Sequence, residues 1–314
     1  MTGLERWPLL FAVDALRYAI PASIAFAVFW VWKWDALAHR RIQARRPSRK
    51  AFRREIRYSI STAMIFATVG LGTYHLGRAG ILRVYGTIDV HGWPYWFASI
   101  ALAILIHDAY FYGTHRAMHH PRLFARVHRA HHLSTSPSPW AAYAFGPIEA
   151  LVSALIVPTI LLVVPMHESA IFVFLIYMIL MNVIGHLGIE LYPRSWVHSR
   201  WTRWYSTSTH HNLHHRDFRG NYGLYFTWWD RLLGTEHAQY RETFTAVTSR
   251  SPVAVVDHDP DTVIVGLDRT TASPGELAGD GRTEEEHLGG VVHPQQQHHD
   301  RAARPVQHAE RLVP

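Results

Sequence analysis

Five apolar stretches set the terms on which this 314-residue chain can fold: Leu9–Trp34, Tyr58–Gly77, Trp93–Tyr112, Pro147–Pro165 and Ser169–Gly188. Each is near the roughly twenty residues that an α-helix needs to cross a bilayer. One such run could be a buried helix of a soluble protein, but five together are better accommodated by lipid. Asp14 and Arg17 interrupt the start of the first run. No basic leader precedes it and no clear cleavage site follows, so it reads as a retained helix rather than a secretory signal. The pattern predicts an all-α fold: an integral-membrane helical bundle of four to five spans.

Charge orients that bundle. The segment Lys33–Arg57 carries ten Lys and Arg, whereas the connection Val164–Glu168 carries none. By the positive-inside rule the basic segment is cytoplasmic. Counting forward, Tyr58–Gly77 exits, Trp93–Tyr112 returns, and the last two stretches form a hairpin that goes out and comes back. The formal net charge of +7 suits an anionic lipid surface better than nucleic acid, and no nucleic-acid partner is expected.

Histidines then gather at the cytoplasmic ends. They read His115-Arg-Ala-Met-His119, His128-Arg-Ala-His131-His132 and His210-His211-Asn-Leu-His214-His215. Residues three or four apart on a helix are surface neighbours, so each cluster can aim imidazoles at a common point. The chain has no Cys, which excludes thiolate and iron–sulfur sites and leaves nitrogen and oxygen ligands. A single catalytic zinc uses three protein ligands, fewer than these clusters supply. A dimetal site in a cytoplasmic helical cap would use them, with His186 at the end of the hairpin as a ninth candidate. His107, two turns before His115, is an extra ligand or a core residue. His120 and His210 adjoin cluster members and are alternative ligands. His39, His75 and His167 read as filler.

The flanks carry a resemblance. Asp108-Ala-Tyr-Phe-Tyr112-Gly-Thr-His115-Arg116-Ala-Met-His119-His120-Pro121 resembles the D-x-x-x-Y-W-x-H-R-x-x-H-H-P box of the fatty acid hydroxylase/sterol desaturase superfamily. His128-Arg-Ala-His131-His132 resembles its H-x-x-H-H box, and Gly185-His186-Leu-Gly188 its G-H-x-G segment. The third cluster, with Asn221-Tyr222-Gly223 and Trp229-Asp230-Arg231-Leu-Leu-Gly234-Thr235, is similar to its closing boxes. The likeness covers about 93–236. Gly113 departs from it, standing where the family has Trp.

This resemblance implies a membrane di-iron oxygenase, with two Fe ions as cofactor and O2 as co-substrate. It would use two electrons to hydroxylate an unactivated C–H bond of a lipid: a fatty acyl chain, a sterol-like molecule or another isoprenoid. Desaturation on the same site is the alternative. The implied ligands are His115, His119, His128, His131, His132, His186, His211, His214 and His215. Asp108, Asn221 and Asp230 are assigned to orienting imidazoles from behind. No H-P-G-G haem motif occurs, so a separate donor (a ferredoxin, a cytochrome b5-like protein or a reductase) is expected. Zinc hydrolysis is disfavoured because no H-E-x-x-H and no glutamate beside a cluster is visible. Metal transport is disfavoured because the histidines lie at span ends rather than inside them.

Three regions follow: membrane helices and basic loop in 1–92, a catalytic region in 93–248, and a tail in 249–314. The tail is polar and reads as disordered, with His258, His287, His293, His298, His299 and His308 lacking helical spacing.

Overall fold

The computed structural model describes residues 3–44 and 46–252, and these are mostly helical. Of the tail expected at 249–314, the part from 253 onward, with its histidines, lies outside the described residues. Helix α1 (Trp7–Ala25) continues through a π-helical stretch, Phe26–Trp32. Helix α2 (Arg49–Arg78) starts where the Ser48 side chain accepts from the Ala51 amide, one of the orphan donors of a first turn. Helix α3 (Gly92–Met118) follows, then the short α4 (Pro121–Val127) and α5 (Arg129–His132). Helices α6 (Pro147–Ala154) and α7 (Ile156–Val163) run outward and α8 (Glu168–Gly185) returns. A cap of α9 (Ser208–Asp217), α10 (Trp228–Leu232) and α11 (Tyr240–Ser249) closes the described chain.

Among the described residues three helices are long and apolar enough to cross a membrane: Leu4–Trp32, Gly92–Met118 and Glu168–Gly185. They leave apolar side chains exposed, among them Leu16, Ile20, Leu102, Leu105, Phe172 and Leu180, as lipid-facing surfaces do. The other two stretches differ from them. Tyr58–Gly77 is the C-terminal part of α2, whose first turns are basic. Pro147–Pro165 is two helices meeting at Leu155. Pro158 has no N–H to offer the Ala154 carbonyl and its ring crowds that carbonyl, so the helix breaks there and restarts.

A two-stranded parallel pairing, Val84 with Met166 and Tyr85 with His167, ties the α2–α3 and α7–α8 connections together. It fixes one end of the bundle. The C-termini of α3 and α8, bearing His115, His119 and His186, therefore meet at the other end. The basic segment packs at that same histidine end: Arg41 bridges to Ile189, and Arg54 donates to the Leu133 carbonyl at 2.7 Å. Beneath it Tyr18 stacks on Tyr143 with ring centroids 4.8 Å apart, within a core shared by α1, α2, α8 and the loop before α6.

Just past His186 the chain must turn away from α8, and Gly188 does so at φ +73°. Trp30 closes over this turn and donates its indole N–H to the Leu187 carbonyl at 2.9 Å. A Cβ on Gly188 would lie 3.3 Å from the Trp30 ring and 3.4 Å from the Pro137 carbonyl. Gly188→Ala is expected to destabilise the protein by about 1–2 kcal/mol, the cost of a left-handed non-glycine residue, read as a lowered thermal midpoint in detergent.

Candidate metal centre

Each histidine reaches the centre from a helix end or a helix face. The last turn of α3 supplies His115, and its C-cap is His119. His128 sits in the break between α4 and α5 rather than on one continuous helix, and α5 carries His131 and His132. His186 is the C-cap of α8, and α9 presents His211, His214 and His215. The nine residues fall into two groups, each with one ring nitrogen per residue within 4.8 Å of the others. One is His115, His119, His128, His132 and His214; the other is His131, His186, His211 and His215. The groups adjoin, with the His132 and His215 rings stacked 4.8 Å apart.

The ring nitrogens face one another in a way that hydrogen bonding does not explain. His115 Nε2 is 3.0 Å from His128 Nε2, and His132 Nε2 is 3.1 Å from those of His119 and His128. In the second group the distances are 3.1 Å for His186–His211 and His211–His215, and 3.4 Å for His131–His186. A carbonyl only accepts, so backbone contacts fix several tautomers. His115 Nδ1–H donates to Tyr222 O at 2.9 Å, His186 Nδ1–H to Asn182 O at 2.8 Å, and His214 Nδ1–H to Gly220 O at 2.8 Å. Their Nε2 atoms then carry lone pairs. The buried His214 Nε2 has no hydrogen-bond partner among the described residues. His128 Nδ1 lies 2.8 Å from the Glu149 carboxyl, on the ring edge away from His115, and its Nε2 crowds the lone pair of His115 Nε2.

A metal ion resolves that repulsion. Metal–nitrogen bonds of about 2.0–2.1 Å imply ligand–ligand edges of about 3.0 Å at right angles and about 3.4 Å at tetrahedral angles, which brackets the observed spacings. Protonation state agrees. Burial, reinforced by neighbouring imidazoles, depresses His119 to about 3 and His186 to about 4. The same causes hold His128, His131, His211, His214 and His215 well below the ordinary histidine range. All are thus neutral near pH 7, the form that ligates metal. An all-imidazole set suits iron, zinc, copper or nickel.

The residues expected to orient imidazoles make most of their contacts with backbone amides. Asp108 accepts from the Tyr225 amide at 2.9 Å, the Phe226 amide at 3.3 Å and the Trp228 indole at 2.9 Å, so it holds a turn rather than a ring. Asp230 accepts from the Tyr222 and Gly223 amides at 2.8 and 2.9 Å. Asn221 donates to His210 O and accepts from the His237 amide. Together they brace the loop 220–223, whose carbonyls orient His115 and His214, so Asn221 and Asp230 act on those rings at one remove. Glu149 corrects a second expectation, since a glutamate does stand beside a cluster. It comes from α6, beyond the reach of any local motif, and touches the outward nitrogen of His128.

The alternative ligands fall outside both groups. His107 pairs with the Tyr225 hydroxyl at 2.8 Å. His210 Nδ1 lies 3.1 Å from Ser206 Oγ, and its Nε2 lies 3.3 Å from Asp230. His120 is exposed and caps α4, accepting from the Arg122 amide. Gly113 is exposed, and an added Cβ there would meet nothing within 4 Å. His115 and His128 of one group, and His131, His186 and His211 of the other, line a shared cavity of about 20 Å³, room for a water-sized molecule.

Removing the Glu149 carboxylate should loosen His128 without touching a ligand. Glu149→Ala is expected to lower metal affinity by about 10–100-fold, measured by chelator competition, with helical content by circular dichroism unchanged. Unaltered affinity would remove Glu149 from the site.

Known proteins share this region. The fatty acid hydroxylase family model matches residues 100–235. The chain is 31% identical over 201 residues to the Delta(7)-sterol 5(6)-desaturase erg3C of Aspergillus fumigatus, covering 59% of this chain and 63% of that protein. It is 29% identical over 190 residues to the lathosterol oxidase of Mus musculus, covering 58% and 60%. It is 32% identical over 146 residues to the methylsterol monooxygenase 1 of Danio rerio, covering 46% and 48%. The chain thus spans about half to two thirds of the length of these curated relatives. No solved structure gives a significant match. Through residues 100–235 the chain is thus similar to the fatty acid hydroxylase family.

Proposed function

We propose that this chain is a membrane-bound di-iron oxygenase that hydroxylates an unactivated C–H bond of a sterol-like or other lipid, with residues 93–248 as its catalytic region. One observation carries the reading: two adjoining groups of buried, neutral imidazoles turn their lone pairs inward and border one cavity. The relatives' names supply the substrate class, since they are sterol desaturases and a methylsterol monooxygenase. Desaturation on the same site is the second reading, favoured by the desaturase name of the fungal relative.

The nine ligands in the two groups are His115, His119, His128, His132 and His214, and His131, His186, His211 and His215. When bound, the iron pair supplies O2 activation and an oxidant for strong C–H bonds, chemistry that side chains alone do not provide. The residues of the chain do the rest. Backbone carbonyls of Tyr222, Asn182 and Gly220 fix three tautomers, so the ligands need little rearrangement to bind metal. The two membrane helices α3 and α8 deliver His115 and His186 to the end of the lipid-facing bundle, where a lipid carbon can reach the cavity without leaving an apolar phase. Two electrons come from a separate donor of the ferredoxin, cytochrome b5-like or reductase class.

The charge of residues 33–57 supports a cytoplasmic position for the histidine end, with four to five spans in all. Because the chain has no Cys, single replacements report sidedness cleanly. Thr87→Cys should react with an impermeant maleimide on intact cells and Ser48→Cys only after lysis; the reverse pattern would invert the topology.

Purified protein should carry two irons per chain, and cells expressing it should gain an O2-dependent lipid product. His128→Ala should abolish the product and lower bound iron. One zinc with no iron, or a product that persists in His128→Ala, would overturn the assignment.

A further inference from the structure

Helices α1, α2, α6, α7 and α8 line a cleft of about 840 Å³, a volume that suits a ligand of lipid size. Its walls are mostly apolar, yet Asp14 and Arg17 lie among them. Both belong to the candidate span Leu4–Trp32, where charged groups are costly and mark function or pairing. They do pair: Arg17 Nη2 donates to Asp14 Oδ1, and Arg17 Nη1 donates to the Leu175 carbonyl at 3.1 Å. The pairing is incomplete. Arg17 Nε is buried without an acceptor, and among the described residues no donor reaches Asp14 Oδ2. The Asp14 side chain is 17% exposed against 3% for Arg17, so Asp14 is the member that the cleft can reach.

We propose that Asp14, held by Arg17, is the polar subsite for a neutral lipid alcohol, a deepening that rests on the oxygenase reading above. A hydroxyl supplies the donor that the free carboxylate oxygen lacks. A fatty acid would bring a second carboxylate against Asp14, and an ester or ether has no proton to donate. The remaining charged groups of the cleft, Arg6, Arg78 and Glu168, stand at helix ends. Donors and acceptors at such ends compete with water, whereas one inside the span does not.

Position then dictates which carbon is oxidised. Arg17 meets α8 at Leu175, eleven residues before His186, which is about 16 Å along a helix axis. The cleft and the histidine-lined cavity share one wall residue, Ser153. A lipid whose hydroxyl rests on Asp14 therefore presents to the metal centre a carbon remote from that hydroxyl, not one beside it.

The experiment compares binding of lathosterol and of hexadecan-1-ol with their O-methyl ethers, which accept but do not donate, to the full chain in detergent micelles by equilibrium dialysis. The alcohols should bind about ten- to a hundred-fold more tightly than the ethers, the span of one hydrogen bond to a charged group. Asp14→Ala should erase the difference. Equal binding of alcohol and ether to the wild-type chain, or no binding of either alcohol, overturns the subsite, and that comparison needs no variant. So does a preference that survives Asp14→Ala. Iron content of the same samples separates the two readings: iron without an alcohol preference removes only the subsite, and a preference without iron removes only the oxygenase.

Discussion

Nine imidazoles, all but His119 buried, whose facing nitrogens approach to between 3.0 and 3.4 Å in eight of the rings, constitute the constraint on which the rest of this structure depends. A neutral imidazole has one N–H and one lone pair. Backbone carbonyls claim the N–H of His115, His186 and His214 on their outer side, which leaves lone pairs converging beside a cavity no larger than a water molecule. Polar groups left unpaired in such a site cost several kcal/mol each. The helices around the site are arranged to hold the rings in that unfavourable state so that a cation can relieve it. A cation bound there would link its own binding to the folding of the surrounding helices in one equilibrium.

That linkage explains why the site is braced more heavily than its ligands require. Asp230 collects two amides and the Thr235 hydroxyl, and Gly223 permits the approach, since a Cβ there would sit 2.4 Å from the Phe226 carbonyl. Gly220 and Asn221 both take positive φ, so the loop turns its carbonyls inward where α-helical or extended backbone would turn them away. Asp108 performs the same service for the next turn, 225–228. A rigid loop delivers a carbonyl to a ring more accurately than a mobile side chain would, because fewer dihedrals must be frozen.

The two histidine groups were legible in the sequence because their spacing follows helix periodicity and their flanks follow a family pattern. What the spacing could not show was everything perpendicular to the chain. The pairing of Glu149 with His128 depends on α6 packing against α4 and α5, not on a local motif. His210 and His211 are adjacent and equally placed by pattern, and only the rotation of α9 against α8 sends His211 inward and leaves His210 on Asp230. Asp108 and Asn221 were recognisable as constrained positions, but a constrained carboxylate can cap a turn as readily as orient a ring. The span Pro147–Pro165 read as one helix because apolar content outweighs a single proline in a hydropathy window, although that proline decides the backbone.

The break it causes has a functional consequence. Because the helix stops at Leu155, α6 is a separate eight-residue element free to follow the histidine end rather than the axis of α7. Glu149 and Ser153 are four residues apart on it, hence neighbours on one face. The first touches His128, and the second lines both the histidine cavity and the apolar cleft. A continuous helix through Leu155 would have to satisfy the packing of α7 against α3 and the approach of Glu149 to His128 with one axis. Splitting it lets each half be placed by its own contacts, so α6 can join the histidine-lined cavity to the apolar cleft.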